Sequence, residues 1–235
     1  MYKRQTHTRA GLASVLEGLR LLATWPNVRM TFLLDLCAMV LAQPRALFPA
    51  VGAALLGGGA TTAGALAAAV AVGSVLASVV SGPLTGVRRH GVAIAVSVCG
   101  WGLGIALFGL VLAGAPRPRG TGLVGHSLPW GSGWLWAACA ALAVAGAADA
   151  VSSVFRNTVL QSAAPDHMRG RLQGVFIVVV AGGPRLGDLV AGSDADWLGE
   201  PLAAVAGGLA CVAGVLALCR WQRGFLRYDA DHPVP

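Results

Sequence analysis

The chain has 235 residues, of which 56% are hydrophobic and only 11% are charged, and its formal net charge is +7 at pH 7. A soluble domain carries about 25% charged residues, so this composition argues against a water-soluble domain and indicates a membrane protein. The basic residues lie between the apolar runs and do not form one soluble face, so the positive charge predicts no nucleic-acid partner.

Six apolar runs of about 20 residues predict six transmembrane helices, because a helix of that length crosses a hydrocarbon core of ~30 Å. The runs are continuous rather than alternating, which favours an all-α polytopic bundle in the lipid bilayer over a β-barrel. The predicted spans are residues 30–51, 61–84, 92–113, 134–155, 173–192 and 201–219. The chain is thereby divided into an N-terminal segment (1–29), a six-helix transmembrane bundle (30–219) and a C-terminal tail (220–235).

The distribution of basic residues predicts the orientation of the bundle. Residues 13–29 have apolar side chains at helical spacing and predict an amphipathic helix along the cytoplasmic membrane face. Lys and Arg crowd into the N-terminal segment, the loops after the second and fourth spans and the tail, and Arg156 is counted among them. Only Arg117 and Arg119 fall on the opposite side. By the positive-inside rule, both termini are cytoplasmic, and the expected location is the bacterial cytoplasmic (inner) membrane.

Small residues recur at four-residue intervals in the second and third spans. Ala69, Gly73, Ala77 and Ser81 form one such row in the second span, and Gly104 belongs to the matching row in the third. Small side chains let the backbones of neighbouring membrane helices approach closely. These rows therefore predict helix packing rather than a ligand site.

No enzyme, metal site or cofactor is predicted. The five cysteines include no CxxC pair, so neither a zinc site nor a disulfide framework is indicated. His126 and Ser127 lie in the outer loop without a third member for a catalytic triad. All five histidines fall outside the predicted spans, which removes the usual base of an intramembrane hydrolase.

Five ionisable residues do fall inside the predicted spans, at a cost of about 2.5–3.5 kcal/mol each on insertion scales. Asp35 and Asp149 lie ~8 and ~9 Å from the cytoplasmic end, with no cation expected at that level, so they are candidates for taking up and releasing a proton. Arg45 and Asp188 both lie ~22 Å from that end, with Arg185 one turn from Asp188. These three are expected to form a charge network toward the outer side. The alternative for either group is a fixed ion-pair network that orients the helices.

Two cytoplasmic loops combine glycine with arginine in a set order. Residues 81–91 read SGPLTGVRRHG, and residues 164–174 read APDHMRGRLQG. The positions of interest in the first loop are Gly82, Gly86, Arg88, Arg89 and Gly91. Those in the second loop are Pro165, Asp166, Arg169, Gly170 and Arg171.

With six spans, these loops resemble the second half of a major facilitator superfamily transporter, although the first loop lacks the acidic residue usual in its signature. Three further stretches, LLDLCAMVLAQPRALFP, GAADAVSSVFRNTVLQ and VVAGGPRLGDL, are similar to the enterobactin-exporter-like group of drug and siderophore efflux carriers. The resemblance implies secondary active efflux of a small molecule by alternating access, with the two loops acting in cytoplasmic gating. It also implies that the six spans correspond to helices seven to twelve, the first and fourth of them lining the central cavity.

The resemblance covers residues 17–229 and leaves the amino-terminal bundle of the superfamily without a counterpart. The substrate site of such carriers lies between two bundles, so one bundle supplies one wall. The first hypothesis is the C-terminal half of a proton-coupled efflux carrier, with the missing bundle encoded upstream and Met1 not the true start. The second is a self-standing six-helix protein that forms a homodimeric carrier, and the third is a non-transporting scaffold subunit.

Overall fold

The computed structural model describes residue 20 and residues 22–82, 86–116, 132–163 and 166–228, apart from the side chains of 163–169 and 171. Every regular element in this part of the chain is helical, and six helices are long and apolar enough to cross a membrane. The protein is therefore an all-α polytopic membrane protein, which confirms the predicted fold class. Residues 13–19 and 21 of the predicted amphipathic helix fall outside the described residues, as do His126 and Ser127. Its last residues, 26–29, instead begin the first transmembrane helix.

The six long helices occur at the positions that the apolar runs predicted. They are α1 (Pro26–Leu41), α2 (Ala60–Val79), α3 (His90–Gly114), α4 (Gly133–Ala163), α5 (Asp166–Leu198) and α6 (Glu200–Trp221). A 3-10 segment (Arg223–Arg227) follows α6. The fourth and fifth helices extend well beyond the predicted spans, because the helical backbone continues past the end of each apolar run.

The first span is interrupted rather than merely kinked at Pro44. Proline has no N–H to donate and its ring clashes with the preceding turn, so α1 ends at Leu41. The carbonyl of Ala42 then accepts a hydrogen bond from Trp101 Nε1 on α3 at 3.1 Å, which compensates for a lost helical bond inside the membrane. The span resumes as three short turns, Arg45–Leu47, Phe48–Ala50 and Val51–Leu55.

Helix α3 packs against α4 and α6, and α4 also packs against α2. The predicted rows of small residues lie at these contacts. A Cβ atom at Gly73 would collide with the backbone of Ala143 on α4, and one at Gly104 would lie 2.8 Å from Cβ of Ala145. Ser74 Oγ donates to the carbonyl of Gly146 at 2.9 Å across the same α2–α4 contact. The packing role of these rows is confirmed at Gly73 and Gly104.

Helix α1 packs against α5 and α6 through a second set of small residues, which the sequence analysis did not single out. A Cβ at Gly187 on α5 would collide with the carbonyl of Met39, and one at Gly207 on α6 would collide with the carbonyl of Leu41. Both contacts lie at the last turn of α1, just before the interruption. These two contacts fix the position of α1, and with it that of Asp35, relative to α5 and α6.

The start of α1 and the end of α6 lie at the same end of the bundle, which we call the basic end. The guanidinium of Arg29 lies 5.1 Å from the ring centroid of Trp221, and it donates to Gln222 Oε1 at 3.5 Å. The side chain of Phe225 is fully buried, and its carbonyl lies against the backbone of Gly91 at the start of α3. The segment after α6 is thus packed into the bundle at this end.

Candidate functional site

A cavity of about 580 Å³ lies between α1, α2, α4 and α5, at the level where the first span is interrupted. Most of its wall is apolar. Three charged side chains, Asp35, Arg45 and Asp149, line it, and Gln43 and Trp101 add polar groups. The structure therefore brings the ionisable residues predicted in the first and fourth spans to one cavity.

Asp35 is buried in an ion pair with Arg156 of α4. The side chain of Asp35 is 4% exposed and that of Arg156 is 8% exposed, so both are almost wholly removed from solvent. Taking charges out of water is costly, and a pair this deep is tolerated because each ion neutralises the other. The expectation that Asp35 has no cationic partner at its level is therefore wrong.

Asp149 shares the same guanidinium but is held differently. Arg156 Nη2 donates to Asp149 Oδ1 at 3.4 Å and to Ser153 Oγ at 3.3 Å. The side chain of Asp149 is nevertheless 46% exposed, and it faces the cavity. One arginine thus connects a buried carboxylate with an accessible one, and we refer to Asp35, Asp149 and Arg156 as the charge triad.

The fall in apolar composition after Phe155 predicts a cytoplasmic loop position for Arg156, and this prediction is wrong. The helix in fact continues to Ala163, and Val159 is fully buried one turn beyond Phe155. A signal for its true place was present in the sequence. Arg156 follows Asp149 by seven residues, which is two helical turns, so the two side chains share a face of α4.

The outer-side charge network is not formed as expected. Arg45 is exposed to the cavity, and among the described residues no ion pair within 4.0 Å joins it to Asp188. Arg185 is exposed on α5. Asp188 is partly buried, and its Oδ1 has no hydrogen-bond partner in the described part of the chain. The interruption at Pro44 explains the difference, because the turn that carries Arg45 does not continue the line of α1.

An apolar cluster lies between the charge triad and the basic end of the bundle. Phe32 and Phe176 meet edge to face with ring centroids 6.0 Å apart, and Leu160 of α4 belongs to the same cluster. A space of about 10 Å³ remains beside Asp35 and Arg156, which is roughly the volume that one water-sized probe occupies. The apolar cluster thus lies on the basic-end side of Asp35 and Arg156.

The glycine–arginine loops are largely absorbed into helix ends. His90 and Gly91 begin α3, and Arg89 occupies the N-cap position without a capping hydrogen bond from its side chain. The exposed positions among the described residues of this loop are Gly82, Gly86, Arg88 and Arg89. Residues 166–171 form the first turns of α5 and not a loop. Pro165 lies outside the described residues, and the side chains of Asp166, Arg169 and Arg171 are likewise not described. Among the described residues, no group of three His, Cys, Asp or Glu side chains has the arrangement of a metal site.

Comparison with known proteins relates the chain to an exporter. It is 30% identical over 207 residues to the enterobactin exporter EntS of Escherichia coli O9:H4 (strain HS), Escherichia coli O157:H7 (strain EC4115) and Shigella boydii serotype 18. The matched region includes 88% of this chain but only 44% of each relative. The chain thus spans less than half the length of the curated relatives it matches. No family model matches the chain, and no solved structure matches it.

Proposed function

We propose that this chain forms the C-terminal half of a secondary active efflux transporter in the bacterial inner membrane. The substrates would be siderophores or small amphipathic drugs, moved by alternating access and driven by a proton gradient. The similarity to an enterobactin exporter supports the direction of transport and the substrate class. The observation that carries the proposal is the cavity, because it exposes an acidic and a basic side chain within helices long enough to cross a membrane.

A charged side chain inside a membrane span is costly unless it is paired or faces a water-filled cavity, and such residues commonly mark ion or substrate pathways. Asp149 and Arg45 both face the cavity, and Asp149 retains 46% of its side-chain exposure. We assign Asp35 and Asp149 to the coupling site and Arg45 to the substrate cavity. Arg185 and Asp188 would complete the charged surface toward the outer side.

The basic end would face the cytoplasm, as the positive-inside rule predicts from its arginines. Both chain ends would then be cytoplasmic. The exposed glycines and arginines between α2 and α3, and the turn that begins α5, would act as cytoplasmic gating elements. In this orientation the apolar cluster of Phe32 and Phe176 would lie on the cytoplasmic side of the cavity.

One bundle supplies only one wall of a transport pathway, so a second six-helix bundle would complete the carrier. The relatives are more than twice as long as the matched region, which supports a second bundle of similar size. That bundle would be supplied by further polypeptide from the same locus or by a second copy of this chain.

The test starts from cells in which the locus that encodes the chain is deleted or restored at its natural position. We expect restored cells to lose preloaded enterobactin or ethidium faster than deleted cells, and a protonophore to abolish the difference. Enterobactin represents the siderophore class and ethidium the amphipathic drug class. Equal retention of both probes in the two strains would contradict the efflux proposal and favour a non-transporting scaffold.

The second bundle is tested on the same protein. An affinity tag on the chain expressed from its own locus allows the complex to be purified, and its mass is then measured by light scattering with detergent subtracted. A polypeptide mass near twice the 23.8 kDa of this chain is expected. Mass spectrometry then distinguishes a longer polypeptide from two identical copies, and a lone 23.8 kDa monomer would contradict the two-bundle arrangement.

A further inference from the structure

We propose that Arg156 is the positioning residue of the coupling site, and that Asp149 alone takes up the coupling ion. In this arrangement Asp35 stays ionised in its buried pair and serves as a fixed counter-charge. The coupling ion is a proton or a small monovalent cation. This inference rests on the proposed transport function and refines it, because it assigns different tasks to the two carboxylates.

The two carboxylates differ sharply in access. Asp35 borders the cavity, but it is in direct contact with Arg156 and only 4% of its side chain is exposed, so almost none of its carboxylate is accessible. Asp149 is 46% exposed, and its single contact with Arg156 is a long one at 3.4 Å. A group that exchanges an ion at every transport cycle must be reachable, and only Asp149 meets that condition.

The charge of the triad predicts that one coupling ion is taken up in each transport cycle. Two ionised carboxylates and one guanidinium sum to a charge of −1. The accessible carboxylate of Asp149 can therefore take up one positive charge from the cavity, where Arg45 is an exposed neighbour that forms no ion pair with it. When the ion is a proton, it passes from cavity water to an oxygen of Asp149 and returns to water on the opposite side later in the cycle. Only the O–H bond forms and breaks.

Few other charges face Asp149 from the elements packed around it. Helix α2 contains no titratable residue, and α3 contains only His90 at its first position and Cys99 near its middle. The first span contributes Arg29 at the basic end, Asp35, Cys37 and Arg45, and Arg45 lines the same cavity as Asp149 without forming an ion pair with it. Helix α5 also lines the cavity and carries Arg185 and Asp188. The triad comprises the charges in contact with Asp149, and among the described residues no ion pair within 4.0 Å joins Arg45, Arg185 or Asp188 to it.

Asp35 and Arg156 are also the two members of the triad that lie next to the apolar cluster of Phe32 and Phe176. The space of about 10 Å³ next to them is bordered by Phe32, Leu160 and Phe176, so apolar side chains surround the pair on that side. Arg156 is held there between the apolar cluster and Asp149. Its placement allows Nη2 to hold Asp149 while Nη1 stays with Asp35.

The arrangement predicts loss of export when one buried charge is removed and rescue when both are removed, with Asp149 required in every background. In Asp35→Asn, Arg156 loses its buried partner and pairs with Asp149 alone, so gradient-driven export is lost. In the double variant Asp35→Asn with Arg156→Gln, the guanidinium is gone and Asp149 is again free, so export returns. Asp149→Asn loses gradient-driven export in either background. Arg156→Lys, which keeps the positive charge, is expected to retain part of the export.

The measurements are made on the carrier expressed from its own locus and reconstituted into liposomes, with ethidium and enterobactin as probes. Insertion and monodispersity are checked for every variant. Export is driven once by a pH gradient and once by a sodium gradient at equal pH, which distinguishes a proton from a metal cation. Infrared difference spectra between two pH values report whether a carboxyl group takes up a proton, without any substrate.

Recovery of export in the double variant, together with loss in Asp149→Asn, is the expected result. A double variant that is monodisperse but stays inactive would overturn the proposal, and so would full activity of Asp35→Asn. The infrared spectra separate this failure from failure of the transport function. If neither probe is exported by the parent protein but one carboxyl signal disappears in Asp149→Asn, the site assignment stands and the transport function is wrong.

Discussion

Asp35 on α1 and Arg156 on α4 form an ion pair that is buried on both sides, and this contact joins two helices that otherwise touch little. It places the only guanidinium of the fourth helix beside the cavity and next to Asp149. The contact therefore links the packing of the bundle to the chemistry of its candidate site.

Removing one member of the buried pair should destabilise the protein. Arg156→Gln leaves Asp35 as an unpaired buried charge, and truncating one partner of such a pair costs about 3–5 kcal/mol. The double variant with Asp35→Asn removes both charges and should recover most of that loss. Denaturant unfolding in detergent measures the difference, with the exposed Arg223→Gln as the control. Equal stability of the single variant and the parent would show that the pair does not hold α1 to α4.

The contact between α2 and α4 should not tolerate a larger residue at Gly73. A methyl group there would collide with the backbone of Ala143, and overpacking of a tight contact costs about 1–3 kcal/mol. Gly64 is the matched control, since it lies on the same helix and a Cβ there meets nothing within 4 Å. We expect Gly73→Ala to lower the midpoint of thermal unfolding in detergent, while Gly64→Ala leaves it unchanged or raises it. The reverse order of the two variants would contradict the described packing.

The segment after α6 should be released when Gly91 is enlarged. A Cβ at Gly91 would strike the carbonyl of Phe225, whereas one at Gly224 in the same segment meets nothing within 4 Å. Gly91→Ala should therefore loosen the backbone around the exposed Arg223 and Arg227 and speed their cleavage by trypsin, and Gly224→Ala should not. Cleavage rates are followed by mass spectrometry of the C-terminal fragments. Identical rates in Gly91→Ala and the parent would mean that the packed position of the segment does not depend on this contact.

The orientation is tested with single cysteines at opposite ends of the bundle. Pro116 follows α3 and Arg223 follows α6, and both are exposed. In a background without the five native cysteines, a membrane-impermeant maleimide should label Pro116→Cys in intact cells. It should label Arg223→Cys only after the membrane is permeabilised. The opposite pattern would place the basic end outside the cytoplasm.

Much of the fold follows from composition and spacing. The number of spans is set by runs of apolar residues, and the contacts at Gly73 and Gly104 follow from the spacing of small residues along a helix. Both can be read from local sequence, because a membrane span must be long and apolar and a close helix contact needs small side chains at regular spacing.

The site was less predictable because it depends on contacts between distant helices. The rise per residue along each helix correctly predicts that Asp35 and Asp149 lie near one level. Hydropathy alone, however, sets the end of the fourth predicted span, and it therefore places Arg156 in a loop. The expected pairing of Arg45 with Asp188 failed for a related reason. Depth arithmetic assumes a straight helix, and the interruption at Pro44 redirects the chain before Arg45.

The central claim is that Asp149 couples an ion gradient to export, and one comparison tests it most directly. Proton-gradient-driven release of enterobactin and ethidium is measured for the carrier from its own locus and for Asp149→Asn, with Asp196→Asn at the exposed end of α5 as the matched control. Loss of gradient-driven release in Asp149→Asn, with normal insertion and an active Asp196→Asn control, is the predicted result. Release at the parent rate in Asp149→Asn would contradict the account.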